Sequence, residues 1–311
     1  MPISDDELAA VRADRTAASD DEGLSAALNA LVDRGSEHAL WGDTLALQDE
    51  LAVIGERTGD LAAVVAARMG VLGPFVWGPV PAGDALVRVD RMLRDPALQP
   101  SELQVNIRGT RAAMLAMLDR PLEARQELDA AFALAEELHL PMLARSMGFG
   151  YTCWLVRDLE HAAEVFQRGV DMLESQREVG WLSTLLPMLG EVRLLQGDVE
   201  EARRCAEQSR DICPPGDIES NSRWRSLLAR VESLAGRHDD AIRLASEGVE
   251  WELRGDQLDA IGDRYVDLAV VLAAAGRRAQ AGSAVDFAVE QYRLKENLAS
   301  VRRAEELRAT F

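Results

Sequence analysis

The side chains that most often perform chemistry in proteins are few in this sequence and lie far apart. The chain has four histidines and three cysteines, at positions His38, His139, His161, His238, Cys153, Cys205 and Cys213. No histidines show the HxxxH or HExxH spacing of a helical metal site, and no cysteines form a CxxC pair. These residues therefore predict no metal site and no catalytic histidine or cysteine.

The sequence also offers no convincing residues for phosphate binding or for acid–base catalysis. A Walker loop requires a lysine after a glycine-rich turn, and Lys295, the only lysine among 34 basic residues, follows none. Adjacent acidic residues are typical of solvated helix faces and of helix starts, where the helix dipole favours negative charge. The pairs are Glu136–Glu137, Glu200–Glu201, Asp239–Asp240 and Glu305–Glu306. We predict that the chain is not an enzyme and binds no cofactor.

Composition indicates an all-α protein with a negative surface. Of the 311 residues, 48% are hydrophobic but only 5% are aromatic, so the core must come from Ala, Leu and Val, which suits closely packed helices. A formal charge of −19 argues against binding to nucleic acid or to an anionic membrane. The longest apolar run, residues 268–275, is far below the ~18 residues of a spanning helix. This short run, together with three cysteines that suit a reducing compartment, predicts a cytoplasmic location.

An internal repeat must position any functional site. Five turn positions are separated by 38, 40, 39 and 40 residues; they are Asp119, Arg157, Gly197, Gly236 and Gly276. Seven residues before them stand Ala112, Gly150, Gly190, Ala229 and Ala269, and five after them stand Ala124, Ala162, Ala202, Ala241 and Ala281. Small residues on both sides of a turn favour antiparallel helices whose backbones approach closely.

This pattern resembles the tetratricopeptide repeat (TPR), and Leu189–Gly190 reproduces the Leu-Gly pair of that family. The period exceeds the family's usual ~34 residues, which longer helices would absorb. The resemblance implies a right-handed α-solenoid of antiparallel helix pairs. We place an acidic, partly helical leader at residues 1–35, a degenerate repeat at 36–100, five repeats at 101–296 and a capping helix at 297–311.

A narrower resemblance concerns residues 36–311. The uncharged stretch 73–81 and the segment 287–304 are similar to the C-terminal helical-repeat region of large actinobacterial regulators. Those proteins join a class III nucleotide cyclase or a transcriptional activator domain to an ATPase module. The Gly/Pro stretch 73–83 should be an apolar loop. Its Phe75 and Trp77 either form the lip of a ligand site or belong to a buried connection, and we favour the connection.

The TPR resemblance also implies which residues face the groove of the solenoid. They are Asn106, Met147, Tyr151, Trp154, Glu191, Leu194, Arg223 and Arg230. Aromatic and arginine side chains are frequent anchors of interfaces. We therefore predict a regulatory scaffold that binds a protein or peptide in this groove. One alternative is that Tyr151 and Trp154 only fill the space between helices. Another is a ligand-sensing or autoregulatory segment of a cyclase–ATPase or activator protein, whose partner would be its own ATPase or cyclase module.

Overall fold

A computed structural model describes residue 10 and residues 20–99, 101–140 and 143–311, and this described part is almost entirely helical. The remainder of the acidic leader lies outside the described residues. The α-helices are α1 (Asp21–Glu37), α2 (Trp41–Thr58), α3 (Leu61–Gly70), α4 (Leu72–Trp77), α5 (Ala82–Met92), α6 (Ser101–Met117), α7 (Pro121–Glu137), α8 (Leu143–Leu155), α9 (Leu159–Gln176), α10 (Val179–Leu195), α11 (Val199–Ile212), α12 (Ile218–Leu234), α13 (His238–Glu252), α14 (Leu258–Ala274), α15 (Arg278–Lys295) and α16 (Leu298–Arg308).

The turns within the helix pairs are left-handed at every predicted position. The φ angles are 56° and 66° at Asp119 and Arg157, and 90°, 78° and 77° at Gly197, Gly236 and Gly276. Glycine adopts this conformation without a steric penalty, and aspartate tolerates it. The chain therefore reverses direction within all five helix pairs through the same left-handed backbone conformation.

The small residues lie where paired helices touch. All eight alanines of the two sets are completely buried. At Gly190, an added Cβ would lie 2.5 Å from Leu227 Cδ2 and 2.9 Å from Cys205 Cβ, so α10 approaches both α11 and α12 too closely for a side chain. Close helix contact thus depends on the small residues that the repeat pattern marks.

The helix pairs stack into two layers. Each pair has a first and a second helix in chain order. The first helix of one pair contacts the first helix of the next pair, as α6 contacts α8 and α12 contacts α14. Each second helix contacts the first helix of the following pair. The first helices therefore form the inner, more tightly spaced layer of the array. Within the described residues, no helix is long and apolar enough to cross a bilayer.

The uncharged stretch 73–83 differs from the predicted loop. Its first part belongs to the short helix α4, which ends at Trp77 and is capped by Gly78, and Val80 and Pro81 lead into α5. Pro74 is compatible with a helix here because it lies in the first turn, where its missing N–H has no intrahelical partner. Phe75 is fully buried, in agreement with a buried connection, while Trp77 keeps part of its surface exposed.

The two ends of the array meet. The Asp256 carboxylate accepts hydrogen bonds from the backbone N–H groups of Trp41, at 2.8 Å, and Gly42, at 2.7 Å. Its own N–H donates to the Ala39 carbonyl at 3.0 Å. On the capping helix, Arg302 donates to the Asp119 carboxylate at 3.1 and 3.2 Å. These contacts close the solenoid into a ring.

We expect Gly190→Ala to lower the thermal unfolding midpoint. The added methyl group must displace Leu227 or α11, and such overpacking costs about 1–3 kcal/mol, more than the ~1 kcal/mol that alanine gains over glycine in a helix. Gly282→Ala is the matched control, since a Cβ at that helical glycine meets nothing within 4 Å. It should keep or raise the midpoint. Equal effects of the two substitutions would contradict the assigned helix contact.

Candidate functional site

The predicted groove residues all lie on first helices. Asn106 is on α6; Met147, Tyr151 and Trp154 are on α8; Glu191 and Leu194 are on α10; and Arg223 and Arg230 are on α12. The structure separates them into an aromatic cluster, an ionic cluster and three residues that join neither. Of these three, Leu194 is buried in the core, Met147 packs against it, and Asn106 is half-buried.

The aromatic cluster consists of Trp77, Tyr151 and Trp154. The rings of Tyr151 and Trp154 stack with centroids 5.7 Å apart, and the Trp77 ring lies 5.0 Å from Tyr151. The guanidinium of Arg303, from the capping helix, lies 4.3 Å from the centroid of the Trp154 ring. Tyr151 is only 5% exposed, whereas Trp154 is half-buried. Trp154 is therefore the aromatic side chain of α8 with surface available to a partner.

Tyr151 also connects α8 to α14, six helices further along the chain. Its hydroxyl donates to Asp259 Oδ2 at 3.3 Å. Burial raises the pKa of Tyr151 well above its usual range, and nearby Asp259 raises it further. Burial likewise raises the pKa of the Asp259 carboxyl, against the opposing effect of Lys295. The Tyr151 hydroxyl thus acts as a hydrogen-bond donor that holds two inner helices together.

The ionic cluster consists of Glu191, Glu219, Arg223, Arg264 and Asp267. Glu191 lies between two arginines, 3.6 Å from Arg223 and 3.1 Å from Arg264, and Arg223 is 2.9 Å from Glu219. Arg223 and Arg264 are 3% and 1% exposed, so both guanidinium groups are enclosed within the protein, where Arg264 pairs through its Nη2 atom. Such buried pairs fix the relative positions of α10, α12 and α14.

Arg230 lies at the edge of this cluster. Its guanidinium is 3.3 Å from Asp267, and 26% of its side chain remains exposed. Arg230 can therefore exchange its partner for an incoming acidic group at a smaller desolvation cost than buried Arg223 can.

Lys295 is the central residue that sequence analysis missed. Its ammonium group is fully buried and donates to the carbonyls of Phe75, at 2.8 Å, and Gly78, at 2.6 Å. Burial lowers the pKa of Lys295 to about 8, while nearby Asp259 and Asp256 favour its charged form. The sequence carried one signal, because this is the only lysine in an arginine-rich chain.

Helix α14 also contributes a row of aspartates to the inner layer, which the predicted groove residues did not include. Asp259, Asp263 and Asp267 recur every four residues, and all three carboxyl groups have raised pKa values caused first by burial, that of Asp263 reaching about 7. An acidic stripe within an otherwise apolar helix was visible in the sequence. Its partners on α8, α12 and α15 were not, since they depend on the curvature of the array.

The candidate metal ligands and the three cysteines do not form a recognisable catalytic arrangement in the described residues. Within the described part of the chain, no group of three or more His, Cys, Asp and Glu residues could hold a metal ion. Burial raises the pKa values of Cys153, Cys205 and Cys213 to about 12, so their thiols stay protonated and are poor nucleophiles at neutral pH.

Comparisons with known proteins establish the fold. No protein-family model and no curated protein sequence matches the chain. Among solved structures, NprR in complex with its cognate peptide NprX is similar over 74% of this chain and 68% of its own, with a TM-score of 0.59 and 12% identity. A chain of the Cut9–Hcn1 hetero-tetramer of the APC/C covers 91% of this chain, with a TM-score of 0.61 and 10% identity.

A third similar structure is PH0952 from Pyrococcus horikoshii, a signal transduction ATPase with numerous domains and a tetratricopeptide repeat sensor. It covers 97% of this chain, with a TM-score of 0.55 and 12% identity. The chain spans 55% of the Cut9–Hcn1 chain and 50% of PH0952, about half of each. At these identities the likeness concerns the fold alone. The predicted all-α, TPR-like solenoid is confirmed.

The buried carboxyl of Glu252, beside the ionic cluster, provides a test of these electrostatics. Burial raises its pKa from 4.5 to about 7, and negative Glu219 adds to the effect. Between pH 4.5 and pH 7, the Glu252 carboxyl therefore keeps its proton in the folded state and loses it in the unfolded state. The free energy of unfolding consequently falls as the pH rises through this range. The full change is of the order of 3 kcal/mol.

We expect Glu252→Gln to raise the melting temperature relative to the wild type at pH 8, with a smaller difference at pH 5.5. The amide cannot ionise, so the variant avoids the cost of burying a negative charge. Glu250→Gln, at an exposed position of the same helix, should show no such pH-dependent difference. A Glu252→Gln effect that is the same at both pH values would contradict the assigned burial.

Proposed function

We propose that this chain is a non-catalytic regulatory scaffold that binds a protein or peptide segment on the inner layer of its solenoid. The observation that carries the proposal is that Trp154, on the inner helix α8, is only half-buried, with the Arg303 guanidinium over its ring. Charged side chains also lie on the inner helices α10 and α12. Among these, Arg230 keeps exposed surface. Aromatic and arginine side chains that exchange water for a partner dominate many interfaces.

The fold comparisons support this proposal at the level of architecture. NprR was solved with a peptide bound to it, and PH0952 carries its TPR region as a sensor. A cytoplasmic location and a protein or peptide partner agree with the chain's charge of −19, which disfavours nucleic acid and anionic membranes. An ATPase or cyclase module as the partner stays a prediction that rests on the sequence resemblance.

The eight predicted groove residues do not have equal roles in this proposal. Tyr151 and Arg223 are buried by internal partners, so their replacement would damage the fold before it reported on binding. Trp154 and Arg230 are partly exposed and are the informative positions.

Selection of peptides from a random displayed library against the full-length chain tests the proposal. We expect Trp154→Ala to weaken the selected peptides by about 2 kcal/mol, the loss typical of a buried aromatic anchor. Arg230→Glu should slow the association of acidic peptides and change its salt dependence. Fluorescence anisotropy and stopped-flow kinetics measure the two effects.

The matched control is Trp181→Ala, because Trp181 is 58% exposed at the start of α10. It should leave peptide affinity unchanged. If Trp154→Ala instead lowers only the melting temperature while the folded protein binds normally, Trp154 is a core residue and this proposal of a groove site is wrong. Failure to select any peptide would also count against it.

A further inference from the structure

An uncharged segment of the chain itself lies across the inner layer. Helix α4 contacts both α6 and α14, which belong to repeats at opposite ends of the array. From the end of this helix, Trp77 extends to Tyr151 of the aromatic cluster, with the ring centroids 5.0 Å apart. A piece of the N-terminal repeat therefore occupies the surface proposed to bind a partner.

Three hydrogen bonds hold the main chain of the segment. The Lys295 ammonium binds the carbonyl oxygens of Phe75 and Gly78, and the Glu296 carboxylate accepts from the Gly83 N–H at 2.8 Å. Carbonyl and N–H groups occur in every peptide, so these contacts would recognise another uncharged segment equally well. The side-chain contact of Trp77 with Tyr151 adds preference for an aromatic residue.

The two halves of the segment differ in how firmly they are fixed. Phe75 and Val76 are buried in the main apolar core. Trp77, Pro79, Val80 and Pro81 are all only half-buried. The part after Val76 can therefore leave the inner layer at a smaller cost in apolar burial than the part that contains Phe75 and Val76.

The ring is closed here by polar contacts. Separate apolar clusters stabilise the N-terminal helices α1–α3 and the C-terminal helices α14–α16. Hydrogen bonds at Asp256, Lys295 and Glu296 join the ends, and when the ring opens, water can take the place of the protein partner in each of these bonds. Displacement of residues 77–81 would remove the packing of Trp77 and Val80 against the main apolar cluster but would leave the two terminal clusters intact.

We propose that residues 77–81 occupy, in cis, the place of the partner's segment, and that the partner is a peptide whose segment at this place is uncharged. An aromatic side chain of that segment stacks on Tyr151, and one of its main-chain carbonyls accepts from Lys295. This inference rests on the proposed function and adds its ligand class and its regulation. The partner must displace Trp77, so competition from the chain's own segment lowers the partner's apparent affinity.

The experiment uses the full-length chain and a fluorescent, amidated peptide with the sequence of residues 75–81. Trp77→Ala should bind this peptide at least tenfold more tightly than the wild type, because the competing ring is removed. Trp181→Ala should bind as the wild type does. A peptide with alanine in place of its tryptophan should lose at least tenfold in affinity. Equal affinities of the wild type and Trp77→Ala would overturn the inference.

A second measurement guards against a folding defect in Trp77→Ala. Lys295 is the only lysine, so its acylation by N-hydroxysuccinimidyl acetate can be followed by mass spectrometry of one proteolytic fragment. The rate should rise at least tenfold in Trp77→Ala, at unchanged helical content, and should fall again when the peptide is added. A rate that does not change in the variant, or is not lowered by the peptide, would overturn the inference.

The two proposals fail in different ways. If library-selected peptides bind through Trp154 but neither Trp77→Ala nor the peptides alter Lys295 acylation, the cis segment is not a competitor and only this inference is wrong. If acylation accelerates in Trp77→Ala while no library peptide and no peptide of residues 75–81 binds, the proposed function is wrong and the inference falls with it.

Discussion

The structure depends on a buried ammonium group that joins the two ends of a helical array. Lys295 replaces its water shell with two main-chain carbonyls from the N-terminal repeat, 220 and 217 residues away along the chain. Burying a charge is unfavourable unless hydrogen bonds and opposite charges compensate. Here the carbonyls and the nearby Asp256 and Asp259 do so only while the ring is closed. Burial of the Lys295 ammonium and closure of the ring therefore occur together.

Small residues make that closure geometrically possible. Each helix pair contributes one left-handed turn and one close helix contact, and the orientation of each repeat relative to the next accumulates along the array. The inner helices consequently converge, and side chains far apart in sequence meet, as Tyr151 meets Asp259 and Glu191 meets Arg264. The same convergence buries Arg223 and leaves Trp154 and Arg230 accessible. Recognition and closure thus compete for one inner surface.

The local features of this architecture were predictable from the sequence. The turns at Gly197 and Gly236, and the contact at Gly190, follow from backbone sterics within a few residues, so a repeated pattern reveals them. The contacts of Lys295 could not be predicted, since they require the summed rotation of all the repeats. The helix within stretch 73–83 was also missed, because Gly and Pro suggest a loop unless Pro is known to lie in a first turn. Long-range geometry, not local conformation, limited the prediction of the site.

Amide hydrogen exchange at the start of α2 tests ring closure most directly. First-turn N–H groups normally lack an intrahelical partner and exchange with water, but those of Trp41 and Gly42 donate to the Asp256 carboxylate. We expect them to exchange at least tenfold more slowly than the first-turn amides of Leu61 and Ala62 in α3, and Asp256→Ala to abolish the difference. Exchange at equal rates in the wild-type chain would show that the ends do not meet in solution and would contradict the account.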